Sequence, residues 1–514
     1  MSSLATPVVD VWAHLWRTQL AELMLNTLAL LTGVGLGTLV IGTTLGWLVT
    51  GYDFPGRRVF EWALILPLAV PAYVIGFALL GLLDYAGPLQ TALRDTLGPD
   101  ARLPDPRAYW GVVLAMTLVF YPYVYLLART AFREQGAATL ETARTLGRTR
   151  WAAFREVSLP MARPSLVAGA SLAMMEALAD FGTVATFGYR TLTEAVYRVW
   201  YGMFERVAAA QIASLLLLFA LGLLVLERAL RGRARFVQSP RRGSGVQRVR
   251  LGGWRALAAS AGCGLVLGAA FVVPVGRLLL WARQAAAGWR SVVPAFGTVL
   301  TNTVLLAGSA ALVAGALALV LAYAARLHPA LPVRAATRLA GMGYALPGSV
   351  IAVGVLIPVV HLDHGLAAVT EWLTGRPGRL MLTGSAAALV FAYTVRFLAV
   401  GLQTLEASLG KIPPSFDDAA RSLGAGTGGT LARIHLPLMR SGLLTALVLV
   451  FVETVKEMPA TLLLRPFGLD TLAVAVWERT AESQWPEASV PALAIVVAGL
   501  LPVFLAIRLS SRSR

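Results

Sequence analysis

The chain has 514 residues, 57% hydrophobic and only 14% charged, with a mean hydropathy of +0.69. A water-soluble domain carries about 25% charged residues, so this composition excludes one. The net charge of +17, carried by 42 Arg and two Lys, would suggest nucleic acid in a soluble chain. Here the arginines cluster in short loops between apolar runs, the pattern of the positive-inside rule, so the expected partner is a lipid bilayer and no nucleic acid.

Taken in chain order, eleven apolar runs lie at about 23–49, 61–83, 109–131, 164–187, 207–228, 255–281, 296–325, 339–361, 380–403, 441–464 and 489–508. Each can cross a hydrocarbon core of roughly 30 Å as a helix. The short alternating segments of a β-barrel are absent, so the expected fold is an all-α polytopic membrane protein. Residues 1–20 are mixed, with Asp10, His14 and Arg17, and do not read as a cleaved signal. The single cysteine, Cys263, sits in an apolar run and reads as helix packing.

Loop charge sets the orientation. Segment 231–250 has seven Arg and no acid, and 129–163 has seven Arg, whereas 84–108 has three Arg against four Asp and 465–488 two Arg against four acids. Alternation over eleven spans puts the Arg-rich loops and the C-terminus in the cytoplasm and the N-terminus outside.

The sequence also repeats itself. Leu25-Asn26-Thr27 answers Thr301-Asn302-Thr303, and PAYVIG from Pro71 answers PGSVIA from Pro347, both at an offset of 276. Six spans separate equivalent points, so the repeats run parallel. The expected organisation is a first repeat at 1–230, a basic cytoplasmic linker at 231–254 and a second repeat at 255–514. The span at 255–281 opens the second repeat without a counterpart in the first.

The most informative repeat is polar. ETARTLGRTRWAAFREVSLP (141–160) and DAARSLGAGTGGTLARIHLP (418–437) superpose without a gap. Ser415 and Asp418 are spaced as a capping box behind Pro413-Pro414, and Gly424 supplies a helix stop, so a short helix is expected over 415–423. Thr139 and Gly147 play the same parts in the first copy. Ala143 and Ala420 are small enough for another surface to approach. Leu159-Pro160 and Leu436-Pro437 are expected to restart a helix. A short docking helix joined stiffly to a membrane helix would transmit motion from a cytoplasmic partner.

This pattern resembles the EAA motif of permease subunits in binding-protein-dependent ABC importers. It is met by Glu141, Ala143, Gly147, Val157, Leu159 and Pro160, and by Asp418, Ala420, Gly424, Ile434, Leu436 and Pro437, with Thr142 and Asp418 as departures. The resemblance implies the type I importer permease fold, with both halves in one multi-pass chain of the bacterial inner membrane. It further implies coupling helices at 139–160 and 415–437 that dock two copies of a cytoplasmic ABC ATPase. An extracytoplasmic substrate-binding protein would deliver the substrate. ATP and Mg would be used by the ATPase, and no cofactor is expected on this chain. Stretches 179–211 and 455–477 resemble ferric-iron permeases; fused thiamine permeases are similar, and a phosphonate or polyamine would suit the same architecture.

Charges inside the apolar runs form a second candidate site: Glu176 and Asp180 in the fourth, Glu453, Lys456 and Glu457 in the tenth, Arg396 in the ninth. A charge at a helix centre costs about 2.5–3.5 kcal/mol, so these side chains should face protein or water. They read either as the lining of a path for a cationic substrate or as a structural network neutralised by Lys456 and Arg396. His361, Asp363 and His364 could be metal ligands but read better as a polar turn. Tyr189, Tyr197, Trp200 and Tyr201 read as interfacial anchors or a docking face for the binding protein. No G-x-x-x-x-G-K-[ST], H-E-x-x-H or G-x-S-x-G occurs, so the chain is expected to be a transport subunit, not an enzyme. An ion-coupled secondary transporter is the rival class, and it leaves the two docking segments without a role.

Overall fold

Lipid offers no partner to a backbone N–H or C=O, so apolar runs must satisfy these groups internally as helices. The structure, a computed structural model, describes residues 16–135, 145, 147–231, 248–285, 289–328 and 330–512. The first part comprises α1 (Leu20–Gly51), α2 (Arg57–Ala63), α3 (Ala72–Leu83), α4 (Pro88–Leu97), α5 (Tyr109–Glu134), α6 (Leu159–Ala179), α7 (Gly182–Thr186), α8 (Leu192–Tyr197) and α9 (Arg206–Arg231). After the linker come α10 (Gly253–Leu267), α11 (Val273–Ala285), α12 (Trp289–Leu327), α13 (Leu331–Ala340) and α14 (Gly348–Thr374). The chain ends with α15 (Ala386–Leu409), α16 (Ser415–Ser422), α17 (Leu436–Lys456), α18 (Pro459–Leu464), α19 (Leu472–Ala481) and α20 (Trp485–Arg512). Among the described residues ten helical segments are long and apolar enough to cross a membrane. The eleventh expected span contains α6, 21 residues long but made more polar by Arg163 and Glu176.

The chain divides into two compact units, residues 1–285 with 480–496, and 286–479 with 497–514. In the first, α1, α5 and α6 pack on one another; in the second, α12, α15 and α17 do the same. Beneath the first polar loop lies a core of Val124, Ala128, Phe132, Phe154, Ala162 and Leu166. Its counterpart contains Leu402, Leu405, Leu409, Ile412, Met439 and Ala446.

Three expectations change in space. The spans at 61–83 and 339–361 are not single helices: α2 and α13 are separated from α3 and α14 by short 3-10 turns at Leu66–Ala69 and Gly343–Ala345. Pro71 and Pro347 stand at the N-caps of α3 and α14, where a missing N–H costs nothing. The runs at 164–187 and 441–464 are likewise broken, after Ala179 and after Lys456. Finally, α10 and α11, assigned by sequence order to the second repeat, belong to the first unit. The rings of Trp281, Phe77 of α3 and Trp485 form a mutual cluster, each pair of centroids 6.0 Å apart. The linker's last residues, β2 (Val249–Arg250), pair in parallel with β1 (Tyr52–Asp53) at the end of α1.

Candidate coupling and translocation sites

Both polar repeats share local geometry wherever both are described. Gly147 and Gly424 adopt left-handed backbone with φ of 79° and 76°, which an L side chain enters only at a cost. Downstream, Phe154–Ser158 and Leu431–His435 are both π turns, and Leu159 and Leu436 continue the helix without a gap. Pro160 and Pro437 account for this: proline lacks the N–H and its ring crowds the carbonyl four residues back, so the preceding turn widens. Leu-Pro therefore does not restart a helix, as expected from sequence; it loosens one already running. Leu159 and Leu436 are half-buried, and Pro160 and Pro437 exposed. Glu141 and Ala143 lie outside the described residues.

In the second repeat the expected short helix forms as α16. Its N-cap is Pro414, whose carbonyl accepts from the N–H of Asp417 at 2.9 Å and of Asp418 at 3.2 Å. Ser415 is thus already inside the first turn and the expected capping box does not form; Asp418 pairs with Arg421 instead. Ala420 is turned inward and only 2% exposed, so its small size brings α16 close to its own unit. The outward face consists of Phe416, Asp418, Ala419, Arg421 and Leu423, the last 86% exposed.

Sequence reasoning missed what fastens α16. Arg326, at the end of α12, donates to Leu409 O at 2.7 Å, to Ile412 O at 3.0 Å and to Asp417 Oδ2 at 2.5 Å. The other Asp417 oxygen lies 3.4 Å from Nε2 of the buried His435 at the end of the π turn, and Tyr323 packs edge-on to that ring at 5.6 Å. Burial pushes the Asp417 carboxyl up, but the hydrogen bonds and charge of Arg326 outweigh it and hold it below the usual carboxylate range. Helix α16 is thereby tied to the end of α12, the end of α15 and the start of α17. A cleft of about 650 Å³, lined by Tyr323, Arg326, Asp417, Arg421 and Thr427 among others, opens beside it. The one available signal was a second acid immediately before the motif acid.

The intramembrane acids mark the two helix breaks. Asp180 ends α6, and its Oδ1 accepts the Thr183 N–H at 2.6 Å. Glu457 ends α17, and its Oε1 accepts the Ala460 N–H at 2.9 Å. Thr193 donates to Leu178 O at 2.6 Å and Thr461 to Glu457 O at 2.7 Å, satisfying carbonyls freed by the breaks. Glu457 additionally pairs with Arg396 at 2.8 Å, both nearly buried. A methyl on Gly348 would collide with both, so any side chain there would have to displace this ion pair. Glu453 pairs with Lys456 at 2.7 Å, and Glu176 is half-buried one turn before the first break. Seventeen residues separate Arg163 from Asp180 and Arg440 from Glu457, a rise of about 26 Å. That rise covers most of a roughly 30 Å hydrocarbon core.

On the outer side the repeated Asn-Thr pairs act as clamps. Asn26 donates to Arg190 O at 3.1 Å and Asn302 to Asp470 O at 3.3 Å, while Thr27 and Thr303 hydroxyls accept the N–H of Leu192 and Leu472 at 3.1 and 2.8 Å. The aromatic group is only partly a surface: Tyr201 is 40% exposed, but Trp200 is buried, Tyr197 packs on Phe181 at 4.5 Å and Tyr189 is half-buried. Asp363 is engaged by the backbone N–H groups of Met381 at 2.8 Å, Leu382 at 2.9 Å and Thr383 at 2.5 Å, and His361 by Ile357 O at 2.8 Å. Among the described residues no group of three or more His, Cys, Asp or Glu could hold a metal ion.

Two helical units with matched polar motifs and matched helix breaks define a polytopic permease. The profile of the family described as "Binding-protein-dependent transport system inner membrane component" matches residues 39–235 and again 314–513, and the chain belongs to that family. It is 27% identical over 503 residues to the Fe(3+)-transport system permease protein FbpB 2 of Haemophilus influenzae, covering 96% of this chain and 90% of that one. Over half-length segments it is 33% identical to the sulfate transport system permease protein CysT of Escherichia coli (38% of this chain, 70% of that one). It is also 30% identical to the molybdate/tungstate permease WtpB of Thermococcus kodakarensis (41% and 79%). The protein is thus a fused, two-repeat permease subunit of an ABC importer, a multi-pass component of the inner membrane.

Proposed function

We propose that this permease imports ferric iron handed over by an extracytoplasmic binding protein, driven by two copies of a cytoplasmic ABC ATPase that hydrolyse ATP with Mg. The observation that carries the ATPase reading is the pair of matched segments, each ending in a π turn that runs into a membrane helix. Closure of the ATPase dimer pulls on Glu141, Ala143 and Gly147 in one repeat and on α16, with Asp418, Ala420 and Gly424, in the other. The helices beyond Leu159-Pro160 and Leu436-Pro437 carry that movement to the breaks. Support for iron is the likeness to an iron permease along nearly the whole chain, where the oxyanion permeases match one half each.

A path role is proposed for Glu176 and Glu453, one turn before each break, where carboxylates favour a cation. Asp180, Lys456 and Glu457 shape the same region by holding the breaks and balancing charge. The test is reconstitution with the ATPase and binding protein, with ATP-dependent uptake of radioactive iron measured. Uptake should fall with Glu176→Gln and Glu453→Gln while assembly persists; unchanged uptake removes the path role. A binding protein that copurifies with sulfate or molybdate and no iron overturns the substrate.

A further inference from the structure

Helices α2 and α13 occupy equivalent places, each between the first long helix of its unit and the turn that opens α3 or α14. At the offset of 276, Arg57 and Glu61 of α2 answer Val333 and Thr337 of α13; the first pair is buried, the second half-buried. Their outer sides differ. In the first unit Arg57 lies 3.1 Å from Glu61, which lies 2.5 Å from Arg129. Helix α10 packs against α2, the Ser260 hydroxyl donating to Pro55 O at 2.8 Å.

Among the described residues nothing comparable covers α13, which has no buried residue. Leu331 and Leu339 are 83% and 69% exposed. Arg334 and Arg338, one turn apart, are exposed, and among the described residues neither has an ion-pair partner. The preceding span ends at Leu327 and the next begins at Gly348, so a ten-residue helix between them stays at the membrane surface. Exposed leucines beside arginines on one short helix are the composition of an interfacial helix.

We propose that α13 lies in the cytoplasmic leaflet, with Leu331 and Leu339 in the acyl boundary and Arg334 and Arg338 on the phosphates of anionic lipids. Charge complementarity selects this occupant: the inner leaflet is negative, and a guanidinium matches a phosphate in two-point geometry. One face of a ten-residue helix is also far smaller than the roughly 800 Å² per partner of a stable protein interface.

The test uses the full chain with Ala335→Cys, on the exposed face, as the labelled site; the native Cys263 is buried. A fluorophore there is read in bilayers containing equal fractions of brominated phosphatidylglycerol or brominated phosphatidylcholine. Both lipids should quench, the anionic one more strongly, by a preference of about fivefold per arginine. That preference should collapse toward unity when Arg334→Gln and Arg338→Gln are combined, while quenching by phosphatidylcholine persists. Absence of quenching by either lipid means that water or a protein covers the face and overturns the proposal. So does equal quenching by both lipids, or a preference that survives the double substitution.

Discussion

At Asp180 the first unit caps its helix break through the Thr183 N–H, and at Glu457 the second caps its own through the Ala460 N–H and adds the Arg396 guanidinium beside Gly348. Both acids cap the N–H three residues on, so the break itself needs only a hydrogen-bond acceptor. Beyond the cap, Glu457 is buried, and the Arg396 guanidinium 2.8 Å away supplies its partner. The corresponding positions in α5 are Val119 and Phe120. The cap is therefore common to both halves, and the buried Arg396–Glu457 pair is where substitution in the second should cost most.

The largest expected effect follows directly. Arg396→Leu leaves Glu457 charged and unpaired, costing about 3–5 kcal/mol in thermal unfolding of the purified permease; adding Glu457→Gln should restore most of it. A comparable loss at Asp180→Asn would break the comparison, because the amide oxygen can still cap. Next, Arg326→Gln or Asp417→Asn should lower transport per ATP hydrolysed by about tenfold, measured as uptake against phosphate release in proteoliposomes. The Asp417 carboxyl is held low, so its contribution is complete above the unfolded value of about 4 and lost only as pH falls through the lower folded value. Coupling should therefore be flat from about pH 8 to pH 5 with respect to this pair. Smaller losses, about 1 kcal/mol each, are expected for Asp180→Leu, which removes the cap, and for Thr27→Val and Thr303→Val, which open the outer clamps. Asp180→Asn should be nearly silent.

Much of this was legible in sequence because lipid and repetition leave few choices. Apolar runs gave the spans, and the matched 141–160 and 418–437 segments gave the shared glycine and Leu-Pro positions. What stayed hidden depends on contacts across hundreds of residues or on proline's local sterics. Periodicity cannot show that Pro160 and Pro437 widen a turn instead of starting a helix. Nor can it show that Arg326 reaches across 91 residues to Asp417, or that Ala420 points inward. The acids at 180 and 457 read as charges inside continuous helices because an apolar run carries no mark of a break. Only the Asp-x-x-Thr spacing from Asp180 to Thr183 hinted at a cap. The placement of α10 and α11 with the first unit rests on the Phe77–Trp281–Trp485 cluster, to which sequence order is blind.

The central claim is that both polar repeats are gripped from the cytoplasm by the ATPase, and it reduces to one crosslinking measurement. Cysteines at the equivalent exposed positions Thr145 and Ser422 should each crosslink to the ATPase subunit in the assembled transporter. Both should stay unreactive toward an impermeant thiol reagent added outside intact cells. Failure of both positions to reach the ATPase, or labelling of both from the outside, would contradict the account.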